Sequence, residues 1–487
     1  MPIRFTRTLS MRSATSSLPS KKDEKEVENA HDVEVQLARV EEEDEVVDEV
    51  FGEQGGAETV NYRTVGWIST AVIMIKSQIG IGVLSLPYAF HTLGLVPGIL
   101  VLLSLFFMTL WCDYYTGVFK EKHPSVYSLS DAGRLMFGKF GEEFVGVMYW
   151  ISCVTGTSSA LITLSTALNA ISVHGTCTAV FVVVSAVAIY PVASFRRLET
   201  IKWVGWIGLV FILSALLVLM ISVASGDRPS LAPKEGPLDL DVKAFGSPTF
   251  AEAMSAVSTM FFAFTANVGF LPYASEMKAP RLFRRVVLVA QPIVLGVFMV
   301  IGLVVYLNAG QYVASPALGT AGPLIKRIAY GLALPGIFFT GIIYIHLPAK
   351  WMLVRILRGS KHLNHGTLVH WSVWLSCTFG CLVIAYLISQ AIPVFNGLVG
   401  LVAALVSAPL SLHMEALMYL FDHRAFFKSK ADRTPLAWVG VIGNCILLLA
   451  ATFLLVSGTY GSILDIISSY KNGVGAPFTC ADNSNSV

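Results

Sequence analysis

Residues 74–90 read MIKSQIGIGVLSLPYAF, and this stretch decides the fold. It lies inside a hydrophobic span, yet it carries Lys76, the pair Gly80 and Gly82, and Pro87. A helix that faces lipid avoids all of these. A lysine in hydrocarbon is costly. The glycines and the proline weaken or remove helical hydrogen bonds. Broken backbone at membrane depth persists only where protein or a water-filled cavity surrounds it. The first span is therefore expected to break near its middle and to build a solute site close to the bilayer midplane.

The surrounding composition agrees. Of 487 residues, 54% are apolar and 14% charged, and the mean hydropathy is +0.66. A soluble domain carries about 25% charged residues. The chain reads as a polytopic membrane protein embedded in a lipid bilayer. The net charge of +2 hides an asymmetry, because residues 1–62 hold 7 basic and 15 acidic side chains. The basic excess of the remainder is distributed by topology and does not point to nucleic acid. Met1–Ser20 has no apolar core, so no cleavable signal peptide is expected. Arg4, Arg7 and Arg12 faintly resemble an organelle presequence, but acidic residues follow at once. The run Glu41–Glu45 reads as a solvated cytosolic tail.

Eleven hydrophobic segments follow, each near the ~20 residues that cross a bilayer. They run approximately over 65–91, 95–118, 143–171, 177–194, 201–223, 249–275, 286–308, 326–348, 367–390, 394–420 and 436–457. Lysine and arginine set their orientation. The loops after every even-numbered span are basic: Lys120, Lys122, Arg134 and Lys139; Arg196, Arg197 and Lys202; Lys278, Arg281, Arg284 and Arg285; Lys350, Arg355, Arg358 and Lys361; Arg424, Lys428, Lys430 and Arg433. The opposite side has far fewer, with Arg228, Lys234 and Lys243 in one long loop. The N-terminus is thus expected in the cytosol and the C-terminus outside or in a lumen. The domains expected are a disordered acidic tail at 1–62, a transporter domain at 63–460 and an exoplasmic C-terminal tail at 461–487.

The sixth span echoes the first. Leu86-Pro87-Tyr88-Ala89 recurs as Leu271-Pro272-Tyr273-Ala274, preceded by Gly82 and Gly269 respectively. Chance or a shared packing need could produce one tetrapeptide. Its position says more: the copies start five spans apart, so spans 1–5 and 6–10 have opposite orientations. That is the inverted repeat of secondary transporters, with one broken helix in each half. Residues 264–269 (FTANVG) form the second expected break, with Thr265 and Asn267 polar where a lipid-facing span is apolar.

Such a pair of breaks suits a zwitterion. The helix that restarts after Gly80, Ile81 and Gly82 offers free N–H groups, including that of Val83, and a positive dipole end to a carboxylate. Unpaired carbonyls near Gln78, Ile79, Phe264 and Thr265 can accept from an ammonium. Asn267 and Tyr149 complete the substrate-binding candidates. Ile81, Tyr149, Thr157, Ser158, Phe264 and Phe339 are candidates for the pocket wall. The bland alternative makes the glycines small residues for close helix packing, and ordinary packing competes for each wall residue. Little formal charge is available for a charged side chain, which favours a neutral amino acid.

Lys76 lies about 11 residues into its span, roughly 16 Å from the start at ~1.5 Å per residue. Its side chain is too short to snorkel easily to the interface. It should turn into the bundle, either as a coupling group whose ammonium takes the place of a bound cation, or as a structural cation locking the two repeats. His346 is a second coupling candidate, with hydrogen-bonded packing as its alternative. Glu276 reads as interfacial, next to Lys278. Glu415 sits near the cytosolic end of span 10 and is expected to pair with a loop base. Seven cysteines are scattered along the chain. Cys377 and Cys381 are one helical turn apart, which suggests packing. Only Cys177 and Cys480 are expected on the exoplasmic side, where disulfides persist; they either pair or remain free thiols. No Asn-x-Ser/Thr sequon is present. There is no nucleotide-binding loop, metal-ligand cluster or nucleophile elbow, so neither a primary pump nor an enzyme is indicated, and no cofactor or metal is expected.

The segment MIKSQIGIGVLSLPYAF followed by HTLGLVPG resembles the first helix of the amino acid/auxin permease family. Its form, with lysine before SQIG, is similar to fungal neutral amino acid permeases. The resemblance covers about 63–460, specifically in the first helix and by layout thereafter. It implies an all-α membrane fold of eleven helices in a 5+5 inverted repeat with helices 1 and 6 broken, and proton- or sodium-driven uptake at a site between them. Sodium-coupled animal members carry asparagine four residues before the first glycine, where this chain has Lys76. A fixed positive charge repels sodium, so proton coupling is expected. The resulting reading is proton-coupled uptake of neutral, including aromatic, L-amino acids at the plasma membrane, with the vacuolar membrane as the alternative location. The competing class is an amino-acid-sensing receptor with little net transport. Oligomeric state is not legible.

Overall fold

The structure, a computed structural model, describes residues 65–486 apart from 196–197, 227, 234, 359, 361, 363–366, 429–433, 472–475 and 485. The acidic segment 1–62 lies outside the described residues. So do Arg196, Arg197, Lys234, Lys361, Lys430, Arg433 and the side chains of Lys202 and Lys428.

The described chain is all-helical. The first span is two pieces, α1 (Trp67–Gln78) and α2 (Leu86–Leu93), separated by a 3₁₀ turn at Gly82–Ser85. Then come α3 (Leu95–Lys122), α4 (Leu129–Ser172), α5 (Thr178–Ala193) and α6 (Leu198–Ala224). The sixth span is again divided, into α7 (Phe250–Phe262) and α8 (Phe270–Ser275), around a 3₁₀ turn at Thr265–Gly269. Next are α9 (Phe283–Ala309), α10 (Pro323–Leu357) and α11 (Leu368–Ala391). The tenth span is α12 (Phe395–Val402) and α13 (Met414–Asp422), joined through π-helical stretches at Ala403–Ser407 and Pro409–His413. The last is α14 (Pro435–Phe453), a π-helical stretch at Leu454–Gly458, and α15 (Thr459–Lys471).

All eleven predicted segments are thus helical, but by length and apolar character ten helices qualify as membrane-crossing among the described residues. The segment Thr178–Ala193 is apolar but has only 16 residues. A short helix capped by Ser128 and Asp131 precedes the third span within α4. Gly138, at φ 68°, then bends the chain into the long helix. One boundary also moves: the last span continues to Lys471 because its π-helical stretch carries the helix past 457.

The two broken spans are built alike. Each repeat tetrapeptide sits at the start of the second half-helix, where proline's missing N–H costs no bond. Their far ends are tied together: Val65 N–H donates to Glu276 O at 3.1 Å and Lys278 N–H to Val65 O at 2.9 Å. Glu276 also accepts from the Tyr127 hydroxyl at 2.8 Å and lies 3.9 Å from Lys350 Nζ. Around them α10 packs along α4 and α6, forming the scaffold. Cys177 and Cys480 are joined in a disulfide that fastens the C-terminal segment to the start of α5.

Candidate functional site

Both breaks are local consequences of sequence. Helix α1 ends where Ile79 leaves the helical region at ψ 81°. The first bond of the restarted turn runs from Leu84 N–H to Ile81 O at 3.2 Å. The N–H groups of Gly82 and Val83 precede it and have no helical acceptor. At the other break, Thr265 turns its hydroxyl back onto Phe262 O at 2.8 Å, which satisfies a carbonyl that the helix abandons. The breaks meet face to face at Gly82, where an added Cβ would lie 2.5 Å from Ala263 Cα. Gly82 therefore permits a backbone crossing.

Lys76 is 2% exposed and turns inward. Its Nζ donates to Thr340 Oγ1 on α10 at 2.9 Å, and that hydroxyl donates to Gly336 O at 2.9 Å. Gly208 on α6 leaves room for the lysine stem, since a Cβ there would come within 3.0 Å of Lys76 Cε. Gly80 flanks the ammonium. The ammonium thus ties a broken span to α10, while the stem packs against α6. Among the described residues no carboxylate pairs with the ammonium.

Next to Lys76 lies a cavity of about 40 Å³. Its walls are Lys76 and Ser77 of α1; Tyr149, Ser152, Cys153 and Gly156 of α4; Phe262, Thr265, Ala266, Val268, Gly269 and Tyr273 from the sixth span; Thr340, Ile343, Tyr344 and Leu347 of α10; and Val402 and Ser407 of the tenth span. The cavity is therefore enclosed by both broken spans and three others, and it is mostly apolar and aromatic.

Of the predicted residues, Lys76, Tyr149 and Thr265 line this cavity. Gln78, Ile79, Gly80, Ile81, Gly82, Val83, Phe264 and Asn267 are buried at the breaks without facing it, as are Thr157 and Ser158 on α4. Phe339, half-buried, does not line it either. His346 is fully buried and packs edge-on against Trp374, ring centroids 5.1 Å apart, away from the cavity. Glu415 departs from expectation. Among the described residues no base lies beside it, and it faces the Cys112 thiol and the Thr116 hydroxyl inside the bundle. The ten π-helical residues ahead of it widen the helix and change which side chains turn inward. Sequence reading missed Ser77, Ser152, Tyr344 and Ser407, which are ordinary helix residues until packing brings them together. Tyr273 carried a signal, as a member of the repeated tetrapeptide.

A family model described as transmembrane amino acid transporter protein matches residues 63–464. A transmembrane transporter of Gibberella moniliformis is 34% identical over 440 residues, covering 90% of this chain and 92% of its own. The N amino acid transport system protein of Neurospora crassa is 32% identical over 460 residues, covering 90% and 95%. Among solved structures, MhsT in complex with L-phenylalanine superposes with a TM-score of 0.53 at 11% identity, covering 80% of this chain and 98% of that one. A nucleobase-cation-symport-1 family transporter with bromovinylhydantoin bound gives 0.52 at 14% identity, covering 87% and 96%. At such identities the superpositions show a shared fold, the inverted-repeat transporter fold with two broken helices. With the family match spanning the whole membrane region, the chain belongs to the transmembrane amino acid transporter family.

Proposed function

We propose that this protein is a secondary active transporter that couples proton entry to uptake of neutral amino acids, aromatic ones among them, by alternating access. The observation that carries the reading is the ammonium of Lys76, fixed on Thr340 beside a cavity enclosed by two broken spans. A cation held there by the chain itself leaves no place for sodium and repels it. Among the described residues, Lys76 is the one formally charged group on the cavity wall. No carboxylate waits for a basic side chain and no second base for an acidic one, so the substrate side chain is neutral.

The volume supports alternating access. Small-molecule sites run to about 300–1,000 Å³, so the amino acid enters only when the broken spans separate from the scaffold. The free N–H groups of Gly82 and Val83 then take the carboxylate, and the loosened carbonyls near Gln78, Ile79, Phe264 and Thr265 take the ammonium. The Cys177–Cys480 disulfide favours an oxidising environment for the α5 start and the C-terminus. That fits a plasma-membrane protein with its N-terminus in the cytosol.

The test is accumulation of labelled phenylalanine in proteoliposomes containing the full-length protein. Imposing an inward proton gradient should concentrate the amino acid, replacing sodium should change nothing, and a protonophore should abolish accumulation. A strict sodium requirement contradicts the coupling. Saturable binding without accumulation contradicts transport and supports a receptor.

A further inference from the structure

The mechanism so far leaves unused a buried polar cluster next to the sixth-span break. Asp113 of α3 is 0% exposed and Glu415 of α13 is 2% exposed. Gln291 of α9 donates its Nε2 to Asp113 Oδ2. Asn267, in the 3₁₀ turn that breaks the sixth span, lies beside the same carboxyl group. Glu415 faces Cys112 and Thr116 and is close enough to Asp113 for their charges to interact. Among the described residues the titratable groups facing this pair are each other and Cys112; no lysine, arginine or histidine acts on either carboxyl.

Donors are in short supply here. Asp113 Oδ1, Glu415 Oε2, Asn267 Oδ1 and Gln291 Oε1 are buried acceptors without a partner, against one unpartnered donor, Asn267 Nδ2. Two buried carboxyls whose charges act on each other, with no base between them among the described residues, cannot both stay ionised at membrane depth. A proton remedies both faults, since a carboxyl O–H is a donor and removes a charge. The surplus of acceptors is therefore a specific request for a proton.

The location links that proton to the substrate. Asn267 is flanked by Thr265, Ala266 and Val268, which line the cavity. Glu415 follows the π-helical stretches of the tenth span, whose Ser407 lines the same cavity. Such stretches recur at functional sites. Proton and amino acid thus act on the same two segments, which is what thermodynamic coupling requires.

We propose that Asp113 and Glu415 form the proton-binding site of the transporter, taking up one shared proton as the amino acid binds and releasing it when the sixth-span turn reopens. Asn267 is the positioning residue that passes the change to the cavity. This rests on the proton-coupled reading above, and it assigns the titrating role to this pair, with Lys76 as the fixed charge.

The experiment measures binding of labelled phenylalanine to the purified full-length protein across a pH series, with infrared difference spectra of the protonated-carboxyl stretch. One linked proton changes apparent affinity about tenfold per pH unit in the titrating range. Wild type should show this slope together with a carboxyl band that titrates. Glu415→Gln and Asp113→Asn should each flatten the slope and reduce the band, and Glu415→Asp should restore both. A Gln or Asn variant that binds phenylalanine with the wild-type slope overturns the site while leaving proton coupling intact. Should neither variant bind, the wild-type spectrum decides, because the absence of a protonated-carboxyl band at every pH overturns the proposal. Proton-independent accumulation by wild type sinks the coupling reading instead, and the band still reports whether the pair holds a proton.

Discussion

Lys76→Met is expected to lower proton-driven amino acid uptake by about ten- to a hundredfold, the loss set by a charge-assisted hydrogen bond of ~1.5–3 kcal/mol. Lys76 is 2% exposed, and its ammonium donates to Thr340 Oγ1, 2.9 Å away on a scaffold helix. Methionine fills a similar volume, so packing survives while the polar link between α1 and α10 disappears. Thr340 keeps its own bond to Gly336 O and is not left unsatisfied. The broken first span then loses a tie to the scaffold, and the site loses the charge proposed to exclude sodium. Lys76→Asn should accordingly make uptake respond to sodium where wild type does not. Initial rates of labelled phenylalanine uptake, with and without sodium, measure both effects. Wild-type rates and ion dependence in the methionine variant would remove Lys76 from the mechanism.

Gly82→Ala should destabilise the protein by about 1–3 kcal/mol, the range for overpacking a close-packed interior, and should abolish uptake. The new methyl would lie 2.5 Å from Ala263 Cα and 3.1 Å from Ala263 N. Those are backbone atoms of the opposite break and cannot swing aside as a flexible side chain does. The spans must part, and the paired turns lose their register. Gly80→Ala is the control for stability, because its methyl would meet the Thr340 hydroxyl at 3.4 Å, an ordinary contact. Thermal unfolding of both variants should separate them, with Gly82→Ala lowered and Gly80→Ala close to wild type. Equal stabilities would mean that the two breaks do not touch.

The fold was legible because its decisive feature is local. Glycine, proline and lysine in an apolar run announce a broken helix wherever they occur, and the recurrence of Leu-Pro-Tyr-Ala located the second break. Lys76, Tyr149 and Thr265 were within reach of the same reasoning. Asp113 was not, because it lies in a span otherwise read as an ordinary helix, next to the aromatic residues Trp111, Tyr114 and Tyr115. Its burial depends on α9 and the sixth-span turn closing over it. The inward direction of Glu415 was hidden for a different reason. A period of 3.6 residues cannot register π-helical turns, and ten such residues precede it. Thr340 and Ser407 gave no signal of their own, since a hydroxyl that bonds its own helix backbone looks the same in sequence as one that faces a ligand.

The most direct measurement is an experimental structure of the full-length protein with phenylalanine bound. The account predicts the amino acid held between the Gly80–Val83 turn and the Phe264–Asn267 turn, next to Tyr149, with its carboxylate on the main-chain N–H groups. Phenylalanine lodged elsewhere, with spans one and six continuing as unbroken helices, would contradict it.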